Sequence, residues 1–381
     1  MSSKFSTSSG SKTVRFGGRG WAFLASIFLI MATLALAGPG CGPEEEETLP
    51  EETEEMEEQK EGEEEKEAEE EEKVEVDLPE EIESLPPNET GEIMILMYHE
   101  IGEPEEEWVR TPENFRQDLE ILYEEGYRPV SMNDVIDGKI DIPRGTTPVV
   151  ITFDDGTEGQ FRYIEEDGEL VIDPDSAVGI MEEFHEEHPD FGLEATFYIF
   201  YDNPFRQKEY VEKKLNYLVD RGFEIGNHAY SHANLGQLSP EEVEKELGKF
   251  VQRTREYIPG YEIRSLALPF GIKPDPEELA VSGSYEGTEY HHEAVLEVGY
   301  YPAPSPFHED YNTFLPRVRA SDLQEYVDGV GIYDWIDRFK ENPEDRYLSD
   351  GNPNTLTVPE EREDEVKDDL PDHIEEVITK P

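Results

Sequence analysis

Pro148-Val-Val-Ile-Thr-Phe-Asp154-Asp155-Gly156 decides the fold. An apolar run rich in β-branched side chains reads as a strand buried on both faces, and such strands belong to parallel sheets covered by helices. The run ends abruptly in two carboxylates and a glycine, so polar chemistry begins where the strand stops. Further on, His228-Ala-Tyr-Ser-His232 sets two imidazoles four residues apart. One Asp and two His make a ligand set for a divalent metal, with a coordination position left open for water. The second Asp is the base that such a water needs. Together the two segments point to a metal-dependent hydrolase.

The same pattern extends outward. Ile93–Tyr98 is another continuous apolar run. Thr111-Pro112 opens a helix, with Thr as N-cap and Pro at the first helical position, and Gly126 closes it. Ala195–Phe200 and Phe223–Gly226 read as strands, with an amphipathic helix over Lys208–Arg221 between them. Ser239-Pro240-Glu241-Glu242 is a capping box that starts a helix to about Tyr257. Leu266–Leu268 is strand-like, a helix is expected around Ala294, a short strand at Tyr300–Tyr301, and helical pieces over 321–338. Residues 157–194 read as an insertion holding a small hairpin and a helix near Ser176–Glu187. Strands alternating with helices give an α/β protein with a parallel sheet, closed or open. Tyr98-His99, Asp154-Asp155 and Asn227-His228 each sit just past the C-terminal end of a strand, where parallel barrels carry their chemistry. Tyr290-His291-His292 is read as surface.

The chain has 381 residues, 35% of them hydrophobic, which is enough for one domain of about 200 to 250 residues plus extensions. Its formal charge is −61 and its pI about 4.2, which excludes nucleic acid and anionic lipid headgroups as partners of the folded domain. Residues 44–83 hold 24 Asp or Glu against 3 Lys, and residues 1–41 hold 4 Lys or Arg and no acid, which leaves about −44 for residues 84–381. A domain repelling itself this strongly is expected to prefer high ionic strength.

Residues 1–40 read as an export signal: four basic residues, the uncharged stretch Trp21–Ala37, then small residues. The one cysteine, Cys41, follows directly, and the arrangement resembles a bacterial lipoprotein signal with Cys41 as the lipidated residue. An uncleaved single membrane span is the alternative, the apolar stretch being at the short end for spanning. Either way the domain is expected outside the cytoplasm, anchored to the cell membrane. Residues 41–90 are expected as a disordered acidic spacer, 91–340 as the folded domain, and 341–381 as an acidic C-terminal tail.

Thr152-Phe153-Asp154-Asp155-Gly156 and His228-Ala229-Tyr230-Ser231-His232 resemble the first two motifs of the polysaccharide deacetylases, the NodB-homology or carbohydrate esterase 4 group. Leu268-Pro269-Phe270-Gly271 is similar to the end of the third. The resemblance covers roughly residues 91–335 and implies an irregular (β/α) barrel of parallel strands that removes acetyl groups from acetylated polysaccharide. It implies Asp155, His228 and His232 as ligands of Zn²⁺ or another divalent transition metal, Asp154 as general base, and Pro269, Phe270, Gly271 and Tyr98 as substrate-binding. The family's late acidic histidine has no counterpart here. Ile95-Leu96-Met97-Tyr98-His99 instead resembles the circularly permuted deacetylases of poly-N-acetylglucosamine systems, whose catalytic histidine lies on the first strand, and so assigns His99 as general acid. N-acetylglucosamine polymers are the favoured substrate. One departure stands out: the third motif's arginine is replaced by Ala267. Arg264, Arg317 and Arg319 are the cations within sequence reach, and without one the pKa of Asp154 should rise. A catalytically weak or inactive glycan-binding lipoprotein is the alternative that this departure raises.

Overall fold

The computed structural model describes residues 78, 79, 82, 84–201, 203–321, 323 and 329–380. The expected signal, Cys41 and nearly all of the acidic spacer lie outside these residues. Among the described residues no helix is long and apolar enough to cross a membrane.

Nine strands form one sheet: β1 Met94–Tyr98, β2 Tyr127–Pro129, β3 Thr147–Asp154, β4 Thr196–Ile199, β5 Glu224–Asn227, β6 Ser265–Ala267, β7 Ala294–Leu296, β8 Phe314–Leu315 and β9 Val318–Arg319. Every pairing in it is parallel. The order is β8-β7-β6-β5-β4-β3-β1-β9, with β2 also on β3. Val149 pairs with both Met94 and Pro129, so β1 and β2 take opposite edges of β3. β4 then pairs with Thr152–Asp154 and continues the edge that β2 began.

The sheet's two outermost strands are consecutive in sequence. β8 and β9 are separated by Pro316 and Arg317 alone, and so short a link spans at most about 11 Å. The two edges of the sheet must therefore curl round to meet, and the result is the expected irregular α/β barrel. Parallel strands need helical crossovers. α1 Pro112–Glu124, α2 Met132–Asp137, α3 Ala177–Glu187, α4 Val211–Asp220 and α5 Pro240–Tyr257 supply them, and α6 Ile332–Glu341 follows β9. The caps are those read from sequence: Thr111 accepts from the Asn114 N–H, and Ser239 with Glu242 forms a capping box.

Strand alternation divides the core in two. Leu96, Ile151, Phe197, Ile225 and Leu266 face outward and pack with Phe115, Leu119, Leu215 and Leu247 of the helices. Ile95, Val150, Tyr198, Ala267, Leu296 and Leu315 form a second cluster inside the barrel. That cluster includes Tyr347, Leu356 and Val358, all buried. The segment expected as an acidic tail thus folds: Thr355–Pro359 pairs in parallel with Glu376–Lys380, and buried Thr147 at the start of β3 donates to the Tyr347 carbonyl. Its acidic residues mostly face water, while Tyr347, Leu348, Leu356 and Val358 are buried. The fold also begins before residue 91, since Asn88, Glu89 and Thr90 are buried. Residues 294–296, expected in a helix, are a buried strand; three apolar residues are too few to reveal a period. Tyr300 and Tyr301 lie in a bend, not a strand.

Candidate active site

The strands deliver their polar residues to one end of the barrel. His99 follows β1, Asp154 ends β3 with Asp155 next, and His228 follows β5. Arg317 sits in the link that brings the two sheet edges together. The backbone is strained at this end: Asp155 (φ 78), Ala229 (φ 56), His232 (φ 55) and Phe270 (φ 62) all occupy the left-handed region without being glycine. Each costs about 1–3 kcal/mol, and such strain persists only where surrounding structure enforces it.

Ligand atoms of Asp155, His228 and His232 lie within 4.8 Å of one another. Asp155 Oδ1 is 3.4 Å from His228 Nε2 and 3.2 Å from His232 Nε2. It is buried and makes no hydrogen bond. His228 Nδ1 lies 2.8 Å from the Ala267 carbonyl oxygen. A carbonyl only accepts, so Nδ1 carries a proton, and in the neutral ring Nε2 turns a lone pair toward Asp155. A lone pair and a carboxylate oxygen facing each other repel unless positive charge lies between them. The donor set therefore fits a divalent cation. Burial pushes the His228 pKa down, but the carboxylates of Asp154 and Asp155 outweigh it and hold it above the ordinary value. Burial and the neighbouring His228 lower that of His232. Asp155, raised by burial, is brought below the usual carboxylate range by His228 and His99.

Asp154 is 2% exposed and held by a bidentate guanidinium: Arg317 Nη1 donates to Oδ1 at 2.8 Å and Nη2 to Oδ2 at 2.7 Å. Arg317 is itself fully buried and also donates to the Glu297 carbonyl and the Thr152 hydroxyl. Of the three arginines within sequence reach, this is the one that arrives. Arg264 pairs with Asp137 and Glu293, and Arg319 pairs with Glu107 over the Trp108 ring. The expected rise in the Asp154 pKa is reversed: burial raises it, but Arg317 and His228 bring it far below the usual range. His99 Nε2 stands 4.0 Å from Asp154 Oδ2. Burial lowers the His99 pKa, and the Asp154 and Asp155 carboxylates only partly oppose this.

Residues 141–282 match the polysaccharide deacetylase family. Over those residues the chain resembles a polysaccharide deacetylase domain. The matched segment holds Asp154, Asp155, His228, His232 and Leu268–Gly271, but begins after His99 and ends before Arg317. By this match the protein is a deacetylase enzyme of polysaccharides. Solved structures similar to the deacetylase include PplD of Streptococcus pyogenes in complex with acetate, at 19% identity over 61% of this chain and 93% of that one, TM-score 0.46. A putative polysaccharide deacetylase from Bacillus anthracis matches at 19% identity over 66% of this chain and 68% of its own, TM-score 0.46. IcaB of Ammonifex degensii matches at 19% identity over 61% and 92%, TM-score 0.42.

Two expected site residues are placed otherwise in the deacetylase. Tyr98 is buried, and its hydroxyl donates to Asp118 in a cluster with Arg110, so it is a core residue and not a substrate contact. A strand residue adjacent to His99 must point to the opposite face. Pro269 is buried, whereas Phe270 is 60% exposed with its ring 4.6 Å from that of His232. Gly271 (φ 67) completes the turn that presents Phe270. Trp108, which sequence reasoning passed over, stands on the other side, its ring 4.6 Å from His99. His292 is wholly buried, not surface. Its Nδ1 lies 2.6 Å from the Ala280 carbonyl, and its Nε2 3.2 Å from the Asn227 amide, whose oxygen accepts from the Ala229 N–H. That chain of contacts supports the strained loop between the two imidazole ligands.

Proposed function

We propose that the domain is a metal-dependent hydrolase of N-acetylated cell-wall or extracellular polysaccharide, with N-acetylglucosamine polymers as its substrate class. The observation that carries this reading is the Asp155-His228-His232 triad with Asp154 and His99 beside it. Zn²⁺ or another divalent ion bound there supplies Lewis acidity, polarising an acyl carbonyl and acidifying a water. The rest belongs to side chains. The water oxygen bonds to the acetyl carbon while Asp154 accepts its proton, and Arg317 keeps the carboxylate ionised and aimed. The carbon–nitrogen bond breaks as His99 gives a proton to the leaving nitrogen, which releases acetate and a free amine. Trp108 and Phe270, both exposed, flank the centre with faces on which sugar rings can lie. The Arg317–Asp154 pair supports turnover over a binding module that lacks it.

In the same reading the first forty residues export the protein, Cys41 carries the lipid, and the acidic segment spaces the enzyme from the membrane. Elemental analysis of the purified protein should find about one zinc or similar ion per chain, lost in Asp155→Ala. Acetate release from chitooligosaccharide should fall at least 100-fold in Asp154→Asn and His99→Ala. Bound metal with no acetate from any acetylated glycan would sink the proposal. Labelled fatty acid should enter the wild-type chain and not Cys41→Ala.

A further inference from the structure

The insertion after the two aspartates opens with a turn that no motif explains. Gln160, at the end of the turn Glu158–Gln160, is fully buried. Its amide nitrogen lies 2.7 Å from the His99 carbonyl oxygen and 2.5 Å from that of Asp154. Both partners only accept, so the NH₂ end must face them, one hydrogen to each. The carbonyls belong to the two residues that carry protons in the proposed reaction. They lie one residue beyond Tyr98 and Phe153, the last pair joining β1 to β3, although Asp154 is still paired with Tyr198 of β4 on its other side. Past that point the ladder no longer fixes one strand end against the other, and the Gln160 amide bridges the gap.

The turn is built to reach this position. A Cβ on Gly159 would fall 1.7 Å from the Ile101 carbonyl oxygen, so only glycine lets the turn lie against the segment after His99. The Gly159 N–H also donates to the Glu100 side chain at 3.3 Å. The amide oxygen of Gln160 is buried without a hydrogen bond, so the residue is oriented by its two donated bonds alone.

We propose that Gln160 is a positioning residue: its amide ties the backbone of His99 to that of Asp154 and sets the separation of the proton donor and the proton acceptor. This rests on the deacetylase reading above. Gln160→Leu keeps the size and removes both donors. Since misplacement by 1 Å can cost about 100-fold, its kcat for acetate release should fall 10-fold or more, with KM and metal content unchanged. Its crystal structure should show His99 Nε2 moved away from Asp154 Oδ2 relative to 4.0 Å. Gln160→Glu is the second variant. Its carboxyl donates one hydrogen bond when neutral and none when ionised, so its activity relative to wild type should recover as pH falls. A Leu variant with wild-type kcat and an unmoved His99 would overturn the proposal. So would a loss of kcat that comes with loss of metal and of cooperative unfolding in both variants, which would make Gln160 a core residue only. A wild-type enzyme without acetate release, but with His99 displaced in the Leu variant, would sink the deacetylase reading and leave the tie between the two strand ends standing.

Discussion

At the scale of single residues the centre is a set of charges that cannot stand alone. Arg317 is fully buried and Asp154 is 2% exposed, so each is the other's chief counter-charge inside the protein. Removing one partner of such a pair costs about 3–5 kcal/mol, because the survivor stays buried without its counter-charge. Arg317→Met should therefore destabilise the domain by about that amount in urea unfolding and also abolish activity. Adding Asp154→Asn to it should return much of the stability and none of the activity. If the single variant unfolds like wild type, the pair is not what holds Asp154 ionised. The residue types of the centre were legible in sequence, since an Asp-Asp-Gly at a strand end and a spaced His pair are local patterns. The choice of arginine was not. Arg317 lies 163 residues from Asp154, and the two meet because the link between β8 and β9 draws the sheet edges together. Gln160, Trp108 and His292 were missed for the related reason that their roles depend on contacts across elements, which no local pattern encodes.

At the scale of elements, the strands of long apolar runs were legible and the C-terminal segment was not. Its charge hid a strand whose alternate residues Leu356 and Val358 enter the core. The segment is fastened by Glu89, whose carboxyl accepts from the Thr357 and Asp350 N–H groups and from the Tyr347 hydroxyl. Burial first, then the Asp350 carboxylate, raises the Glu89 pKa from 4.5 to about 8. Glu92, raised chiefly by burial to about 7, adds to the effect. Between pH 4.5 and 8 the folded chain keeps a proton on Glu89 that the unfolded chain has released. The stability tied to that proton is complete below pH 4.5 and is lost as pH rises through 8, by at most about 1.4 kcal/mol per pH unit. Urea unfolding of wild type should show this fall between pH 5 and 8.5. Glu89→Gln, which must set an NH₂ group against a backbone N–H, should be weaker at every pH but flatter across that range. An equal slope in both proteins would remove Glu89 as its source.

At the scale of the whole molecule, what matters is charge and closure. Parallel α/β architecture followed from the spacing of buried runs, but closure did not. It depends on β8 and β9, two residues each and too short to stand out in any window. Charge was fully legible, and its consequence can be measured. Residues 84–381 carry about −44. Buried pairs such as Asp154–Arg317 and Asp118–Arg110 are compensated within the core, so the excess lies on the surface and repels itself. The Debye length falls from about 10 Å at 0.1 M salt to about 3 Å at 1 M, which removes most repulsion between neighbouring exposed carboxylates. The melting temperature should rise steeply with KCl up to about 1 M and then level off, because screening saturates once the Debye length is shorter than the spacing of charges. A rise that continues linearly to 3 M would instead indicate salt excluded from the protein surface. Replacing a handful of exposed Glu by Gln, for instance Glu165, Glu166 and Glu169 on the hairpin Tyr163–Ile172, should lift stability at 0.1 M and leave it unchanged at 2 M. A variant stabilised equally at both concentrations would show that local propensity, not self-repulsion, had changed.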